Sequence, residues 1–139
     1  MIALVDSSVL VASLIPDDVH HEACHRLLSR DGLRIYLHAI AETFSTLTGG
    51  RHHLRVDPAA AAHVIEESVI PFVKIVALSA TDFLHALSVA QARGIRGGAI
   101  YDYLHLAAAR KVRAEVLYTL NVRHFESFHR KNDPRIVHP

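Results

Sequence analysis

The segment Ile2-Ala3-Leu4-Val5-Asp6-Ser7-Ser8 is an apolar run that ends at a carboxylate and continues into two hydroxyl residues. A short continuous apolar run is typical of a strand buried on both faces, as in a parallel sheet. Aspartate and serine are common helix-capping residues, so a short helix is expected directly after the strand and before Pro16. The chain therefore opens with a strand followed by a helix.

The same alternation continues along the sequence. Further apolar runs predict strands at 33–37, 73–78, 115–120 and, at an edge of the sheet, 135–137. Periodicity and capping residues predict helices at 17–30, 39–48, 58–70, 81–93 and 99–113. Strands that alternate with helices indicate an α/β class protein, a three-layer α/β/α arrangement around a short parallel sheet. The 139 residues match one domain, 1–139.

Composition excludes several classes of protein. The 15 Lys and Arg residues nearly balance 14 Asp and Glu residues, so the chain is not a strongly basic nucleic-acid coat. No apolar stretch approaches the roughly 20 residues that span a bilayer, and no signal peptide is expected at the N-terminus. The single cysteine, Cys24, excludes an internal disulfide and a cysteine-clustered zinc site, which suits a cytoplasmic location.

Three polar residues are expected near one edge of the sheet. Ligand sites of open parallel sheets lie beyond the carboxyl ends of the strands. Asp6 follows the first predicted strand, Asn121 follows the fourth, and Glu42 lies early in the helix after the second. Structural alternatives remain open for each of them: Asp6 as a helix cap, Asn121 as a turn residue, and Glu42 as a solvated surface residue opposite its helix's apolar stripe.

Asp102 is the most informative of the acidic residues. It lies in Ile100-Tyr101-Asp102-Tyr103-Leu104-His105-Leu106-Ala107-Ala108, a segment that is apolar almost all round, as in a buried helix. A carboxylate there requires compensation by the positive end of its helix, by an arginine such as Arg96 or Arg123, or by a metal ion. The alternative is an aspartate that merely favours the first turn of its helix.

Four segments together resemble a PIN domain and, within that family, a VapC-type toxin of a bacterial toxin–antitoxin pair. They are Val5-Asp6-Ser7-Ser8-Val9-Leu10, Ala41-Glu42, the Asp102 segment, and Thr119-Leu120-Asn121-Val122-Arg123-His124-Phe125. The resemblance covers residues 2–137. It implies a ribonuclease that depends on Mg²⁺, with Mn²⁺ as a substitute, and also a cognate antitoxin and a homodimer.

The resemblance also assigns roles to residues. Asp6, Glu42 and Asp102 correspond to the family's three carboxylates, and Asn121 falls where many members have a fourth acidic residue. Ser7 and Thr119 match small hydroxyl positions near the site. In the resulting hypothesis Asp6 and Asp102 bind the metal, Glu42 holds or deprotonates the attacking water, and Asn121 positions a water or a second ion.

Several surfaces are candidates for contact with RNA or with the antitoxin. RNA contact is expected at Arg96 and Arg123, together with Ser7 and Thr119. A basic patch at 51–55 and a second patch of Arg93 with Arg96 are further candidates, and solvated loop charge is the alternative for all these basic residues. The aromatic residues Tyr101, Tyr103, Phe125 and Phe128 are expected in the core. The helices around 9–14 and 27–28 are candidate walls of an antitoxin groove, and burial in the core explains their apolar residues equally well. The competing hypothesis is a catalytically silent module that binds RNA or protein through the same fold.

Overall fold

A parallel five-stranded sheet lies between two layers of helices. The computed structural model describes residues 1–139 with the exception of the side chain of His52. The elements are β1 (Ala3–Val5), α1 (Ser7–Leu14), α2 (His21–Leu27), β2 (Leu33–Tyr36), α3 (His38–Thr48), α4 (Pro58–Ser68), β3 (Lys74–Val76), α5 (Ala80–Arg93), α6 (Ala99–Lys111), β4 (Val116–Tyr118), α7 (Val122–Glu126) and β5 (Arg135–Val137).

The strand order is β3-β2-β1-β4-β5, and all neighbouring strands are parallel. The chain adds β2 and β3 on one side of β1 and then returns to add β4 and β5 on the other. Val5, the last residue of β1, is in register with Ile35 of β2 and Tyr118 of β4. The strand order therefore reverses between β1 and β4, and such a switch point is where open parallel sheets form a binding crevice.

Side chains of successive strand residues point to opposite faces, which gives the sheet two cores. Ala3 and Val5 belong to a cluster with residues of α1, α2 and α3, whereas Leu4 belongs to a cluster with residues of α5, α6 and α7. All three residues of β1 are buried. The predicted α/β/α arrangement is confirmed, and no helix among the described residues is long and apolar enough to cross a membrane.

Two local predictions are wrong. The second helix begins at His21 rather than at residue 17, because Asp18 accepts a hydrogen bond from the backbone N–H of His20 (2.8 Å) and holds a turn there. The segment after β4, expected to be a turn, contains the short helix α7, which buries Phe125 completely. The other predicted elements occur with ends that differ by a few residues.

Some surfaces proposed from the sequence belong to the interior. Arg93 does not offer a free charge to phosphate, because it forms a bidentate ion pair with Asp133 at 2.5 and 3.2 Å. The antitoxin-groove walls proposed around 9–14 and 27–28 are mostly core, since Val9, Leu10, Leu27 and Leu28 are all buried. These apolar side chains stabilise the fold instead of forming an open groove.

Candidate active site at the carboxyl edge of the sheet

Asp6 lies at the switch point between β1 and β4. Its carboxylate caps α1 by accepting from the backbone N–H of Val9 (3.3 Å), and Ser8 Oγ donates to the same oxygen at 2.5 Å. The other oxygen accepts from Thr119 Oγ1 at 2.6 Å, which links the ends of β1 and β4. Burial raises the pKa of Asp6, although these hydrogen bonds oppose the shift. From the sequence, Asp6, Ser7 or Ser8 can cap this helix; in the structure Asp6 is the cap.

Glu42 faces the sheet edge instead of open solvent. One carboxylate oxygen accepts from His105 Nε2 at 2.7 Å and is 3.2 Å from His38 Nδ1, and the other accepts from Ser7 Oγ at 3.2 Å. Burial alone raises the pKa of Glu42, but the hydrogen bond from His105 and the smaller contributions of its other partners outweigh burial and lower it. The surface interpretation of Glu42 is therefore wrong, and the residue is held in place as a carboxylate.

Asp102 lies in the first turn of α6, where the helix dipole favours a negative charge. Its Oδ2 is 3.5 Å from His124 Nδ1, and no arginine of the described part of the chain forms an ion pair with it. Burial raises the pKa of Asp102, and the negative charges of Asp6 and Glu42 raise it further against the attraction of His105 and His124. Glu42 links the three positions, because it accepts from Ser7, next to Asp6, and from His105, one helical turn after Asp102.

The donor set fits a hard divalent cation that keeps most of its water ligands. Among the described residues, no group of three or more His, Cys, Asp or Glu side chains is close enough to hold a metal by itself. Magnesium, however, typically takes only one or two protein carboxylates and completes its octahedron with waters. The carboxylate oxygens of Asp6 and Asp102 are of the kind that this cation prefers, and a bound cation would offset the repulsion that contributes to the raised pKa of Asp102.

The remaining predicted site residues take different positions. Thr119 is fully buried, so the predicted RNA contact at this residue does not fit; its hydroxyl donates to Asp6 and accepts from the backbone N–H of Asn121 at 2.9 Å. Asn121 is exposed and lines a cavity of about 330 Å³ with Ser7 and Ser8. Ser7 is partly buried, and its hydroxyl donates a hydrogen bond to Glu42. The two serines and Thr119 thus orient the acidic side chains.

Arg96 and Arg123 are both exposed; Arg96 lies six residues before Asp102, and Arg123 lies two residues after Asn121. Arg96 precedes the N-terminus of α6, where its carbonyl accepts from the N–H of Ala99 (3.3 Å), and Arg123 precedes His124 in α7. Neither forms an ion pair with an acidic side chain in the described part of the chain. Both remain able to bind phosphate groups.

Two histidines contact the site and one tyrosine is exposed, and none of these three features is predicted from the sequence. His38 precedes Glu42 by one helical turn, a spacing that could have identified this contact. His105 follows Asp102 by one helical turn. Although it is only 1% exposed, its ring contacts Glu42 of the site as well as the core. Tyr101, predicted to lie in the core, is 55% exposed, whereas Tyr103, Phe125 and Phe128 are buried as predicted.

Comparison with known proteins gives consistent matches. The family model described as PIN domain matches residues 3–131. Ribonuclease VapC27 of Mycobacterium tuberculosis is 34% identical over 112 residues, which cover 81% of this chain and 80% of that protein.

Two solved structures share the fold. The Mycobacterium tuberculosis toxin VapC20, which cleaves the sarcin-ricin loop, superposes with a TM-score of 0.71 at 20% identity and covers 95% of this chain and 99% of its own. VapBC2 of Rickettsia felis, bound to a DNA fragment from its promoter, gives a TM-score of 0.65 at 15% identity, with 99% and 98% of the two chains covered. At these identities the likeness supports the fold.

Proposed function

Because the chain belongs to the PIN-domain family, among the VapC-type ribonucleases, we propose that it is a metal-dependent endoribonuclease that hydrolyses RNA phosphodiester bonds. The observation that carries this proposal is the convergence of Asp6, Glu42 and Asp102 at the carboxyl edge of the sheet, where Glu42 accepts from Ser7, the residue after Asp6, and from His105, one helical turn after Asp102. Maintaining mutually repelling, partly buried carboxylates costs stability, and a protein has a reason to keep them where they bind a cation.

The proposed cofactor is Mg²⁺, for which Mn²⁺ can substitute, held by Asp6 and Asp102 directly or through water. When bound, such an ion lowers the pKa of a water ligand and neutralises charge on the scissile phosphate. Oxygen-only donors match the ligand preference of these hard cations. The neutral side chain of Asn121, in the place of a fourth acid, favours one metal ion over two.

The residues of this chain divide the remaining tasks. Glu42, kept ionised by His105, is suited to accept a proton from the attacking water, and Asn121 offers a carbonyl oxygen and an amide that can position a water. Arg96 and Arg123 are exposed cations that can bind flanking phosphates. The hydrolysis needs no covalent intermediate on the protein, and the buried Thr119 supports Asp6 without contacting RNA.

A metal titration tests this proposal against the silent binding module. Purified protein is incubated with structured and single-stranded RNA in EDTA and then with increasing Mg²⁺ or Mn²⁺. We expect cleavage that depends on the metal and is lost in Asp102→Asn, and thermal stabilisation of the wild type by Mn²⁺. Bound RNA that is never cleaved, with no metal effect on the melting temperature, would support the silent module.

A cognate antitoxin is the proposed protein partner. The open apolar groove of the molecule lies between α3 and α4, with a volume of about 720 Å³, and is lined by Leu37, Ile40, Phe44, Ile65 and Ile70. His38 also lines this groove and contacts Glu42, so the groove leads to the acidic site. A partner with apolar residues followed by a basic side chain would match both regions.

Charge introduced into the groove tests this location. Phe44→Asp should prevent capture by the antitoxin co-expressed from the neighbouring reading frame, and Val19→Asp before α2 is the control at another exposed apolar position (89% exposed). Capture that survives Phe44→Asp would place the antitoxin elsewhere.

The family also suggests a homodimer that acts in the cytoplasm. Exposed apolar residues on α5, Phe83, Leu84 and Leu87, are the surface that supports a second copy. Sedimentation of the wild type and of Leu87→Asp would test the dimer, since a monomeric wild type contradicts it.

A further inference from the structure

Two histidines are stacked against each other on α2. His21 and His25 are one helical turn apart, and of the 12 histidines in the sequence they are the only pair at this spacing. The centroids of their rings are 5.4 Å apart, with an angle of 20° between the planes. His25 is exposed and His21 is partly exposed. The helix therefore presents two imidazole rings together to solvent.

A hydrogen bond to α1 fixes the proton of one of these rings. Nδ1 of His21 lies 2.9 Å from the carbonyl oxygen of Ala12, in the last turn of α1. Because a carbonyl oxygen only accepts, Nδ1 carries the hydrogen, and Nε2 of the neutral ring keeps its lone pair. Histidines that bind metal ions almost always donate the other ring nitrogen in this way, often to a backbone carbonyl. The ring of His21 is thus held in the tautomer that a metal ligand requires.

We propose that His21 and His25 bind one transition-metal ion of the Zn²⁺, Ni²⁺ or Cu²⁺ class, with water as the remaining ligands. Imidazole suits these ions, whereas Mg²⁺ and Mn²⁺ prefer oxygen ligands. A tetrahedral zinc ion about 2.0–2.1 Å from each nitrogen brings the two nitrogens to about 3.3 Å from each other. Rotation of the exposed His25 side chain can supply this approach. This inference goes beyond the proposed function and uses none of the acidic residues at the sheet edge.

The neighbouring side chains favour a structural metal site over a hydrolytic one. The segment His21-Glu22-Ala23-Cys24-His25 matches the His-Glu-x-x-His pattern of metalloproteases, in which the glutamate is the general base. Here Glu22 is 86% exposed and forms an ion pair with Arg26 at 2.7 Å, and Cys24 is fully buried in the core. Among the described residues, no third His, Cys, Asp or Glu side chain completes a metal-binding group. The pair therefore has the ligands of a weak structural site without the base of a peptidase.

The helix α2 is short enough to gain stability from such an ion. It has seven residues, and the residue at its N-cap, His20, makes no capping hydrogen bond through its side chain. Helices shorter than about 12 residues are marginal by themselves in water. An ion bound by residues one turn apart holds that turn closed, and the hydrogen bond from His21 to Ala12 joins the same turn to the end of α1. Binding of the metal to the native protein should therefore stabilise the fold.

A zinc titration of the untagged, ¹⁵N-labelled full-length protein tests this proposal. NMR follows the ring nitrogens of each histidine as ZnCl₂ is added, so the affinity is measured at a known residue. We expect zinc to shift Nε2 of His21 while its Nδ1 stays protonated, and to shift the ring nitrogens of His25. The affinity measured at His21 should fall at least about tenfold in His25→Gln, since loss of a second-shell partner alone costs 10- to 100-fold.

Three controls make the result specific. His63→Gln should keep the wild-type affinity, although His63 is also exposed on a helix and lies one turn from a possible ligand, Glu67 (3.2 Å). Asp102→Asn alters the acidic site and should leave the zinc shifts at His21 unchanged. Without zinc, His25→Gln should melt at the wild-type temperature, because His25 is exposed. Added zinc should raise the melting temperature of the wild type more than that of His25→Gln.

Three results would overturn the proposal. Zinc that leaves the rings of His21 and His25 unshifted, or that binds His25→Gln as tightly as the wild type, excludes this pair as the site. An equal loss of affinity in His63→Gln means adventitious binding to surface histidines only. Zinc shifts that disappear in Asp102→Asn place the ion at the acidic site instead. None of these measurements uses RNA, so the failure of the proposed ribonuclease would leave them unchanged.

Discussion

The ion pair between Arg93 and Asp133 joins α5 to the segment before β5, and its removal tests how much this contact stabilises the fold. The Asp133 side chain is 2% exposed and that of Arg93 is 11% exposed. Arg93 also donates to the carbonyl of Phe128 (3.2 Å) and lies over the ring of Tyr103 at 5.1 Å. A second arginine, Arg110, is 3.4 Å from Asp133. The pair thus joins α5, α6 and the segment before β5.

We expect Asp133→Ala to lower the free energy of unfolding by about 3–5 kcal/mol, because it leaves a nearly buried guanidinium without its carboxylate. A domain of this size is stable by about 5–15 kcal/mol in total, so the variant loses a large part of its stability. Urea unfolding followed by circular dichroism at pH 7 measures the difference, with unchanged slope against denaturant as the check for an intact two-state transition.

A double-mutant cycle, in which Arg93→Met and Asp133→Leu are each measured alone and together, separates the pair from its surroundings. Arg93→Met combined with Asp133→Leu should recover most of the loss, because replacing both charges with apolar groups is often close to neutral. Glu22→Ala is the control: its ion pair with Arg26 has side chains 86% and 75% exposed and should contribute less than about 0.5 kcal/mol. A loss below about 1 kcal/mol in Asp133→Ala, similar to the control, would refute the reasoning.

The pH dependence of the same variant has a definite sign. Burial alone raises the pKa of Asp133, but the hydrogen bonds from Arg93 and from the backbone N–H of Arg130 outweigh burial and lower it. A carboxyl whose pKa is lowered by folding stabilises the protein fully above its unfolded value, near 3.8, and loses this contribution as the pH falls through the folded value. The difference between wild type and Asp133→Ala should therefore shrink on acidification below pH 4.

Three further predictions concern the site and the surface. Asp6→Asn and Asp102→Asn should each reduce cleavage to background yet unfold at the same or a higher urea concentration than wild type, because both remove a charge that burial disfavours; full Mg²⁺-dependent activity in either variant contradicts the assignment. His105→Leu should lower kcat roughly 10- to 100-fold with little change in KM, because it removes the hydrogen bond to the Glu42 carboxylate, worth about 1.5–3 kcal/mol. His63→Leu, at an exposed histidine, is the control. In a carbon-detected NMR titration Asp82 should show a pKa of about 2, chiefly because Lys111 donates to its carboxylate (2.7 Å). Lys111→Ala should move that pKa towards 3.8. An unmoved value would mean that the ion pair does not form in solution.

The sheet and most helices could be predicted because their signals are local. The strands β1 and β4 are short and buried, so every residue in 2–5 and 116–118 is apolar, and the capping residues mark the helix starts that follow. The start of α2 could not be predicted in this way. Several residues before α2 can cap a helix. The position at which α2 begins depends on which backbone N–H donates to the Asp18 side chain. The helix α7 is short, and the burial of Phe125 stabilises it more than its own sequence does.

The candidate site could be predicted where topology alone decides position. Asp6 and Thr119 follow strands that pair in register, so the rule for parallel sheets brings them together. The orientation of Glu42 could not be predicted, because its strongest partner, His105, is 63 residues away in the sequence. Tyr101 was misassigned for a related reason: an almost wholly apolar helix suggests burial on every side, and only the packed structure reveals which side remains open.

Asp6 combines a structural role with the proposed chemical one, and its lone pairs make the combination possible. An ionised carboxylate has about four acceptor positions. Ser8, the Val9 N–H and Thr119 take three of them, two on one oxygen and one on the other. One position therefore remains for a cation or its water ligand without loss of the helix cap. Asn at this residue keeps a carbonyl acceptor for the cap, whereas Ala removes the cap and should cost about 1 kcal/mol more. The comparison of Asp6→Asn with Asp6→Ala thus separates the helix cap from the charge, since both variants remove the charge and only Asp6→Ala removes the cap.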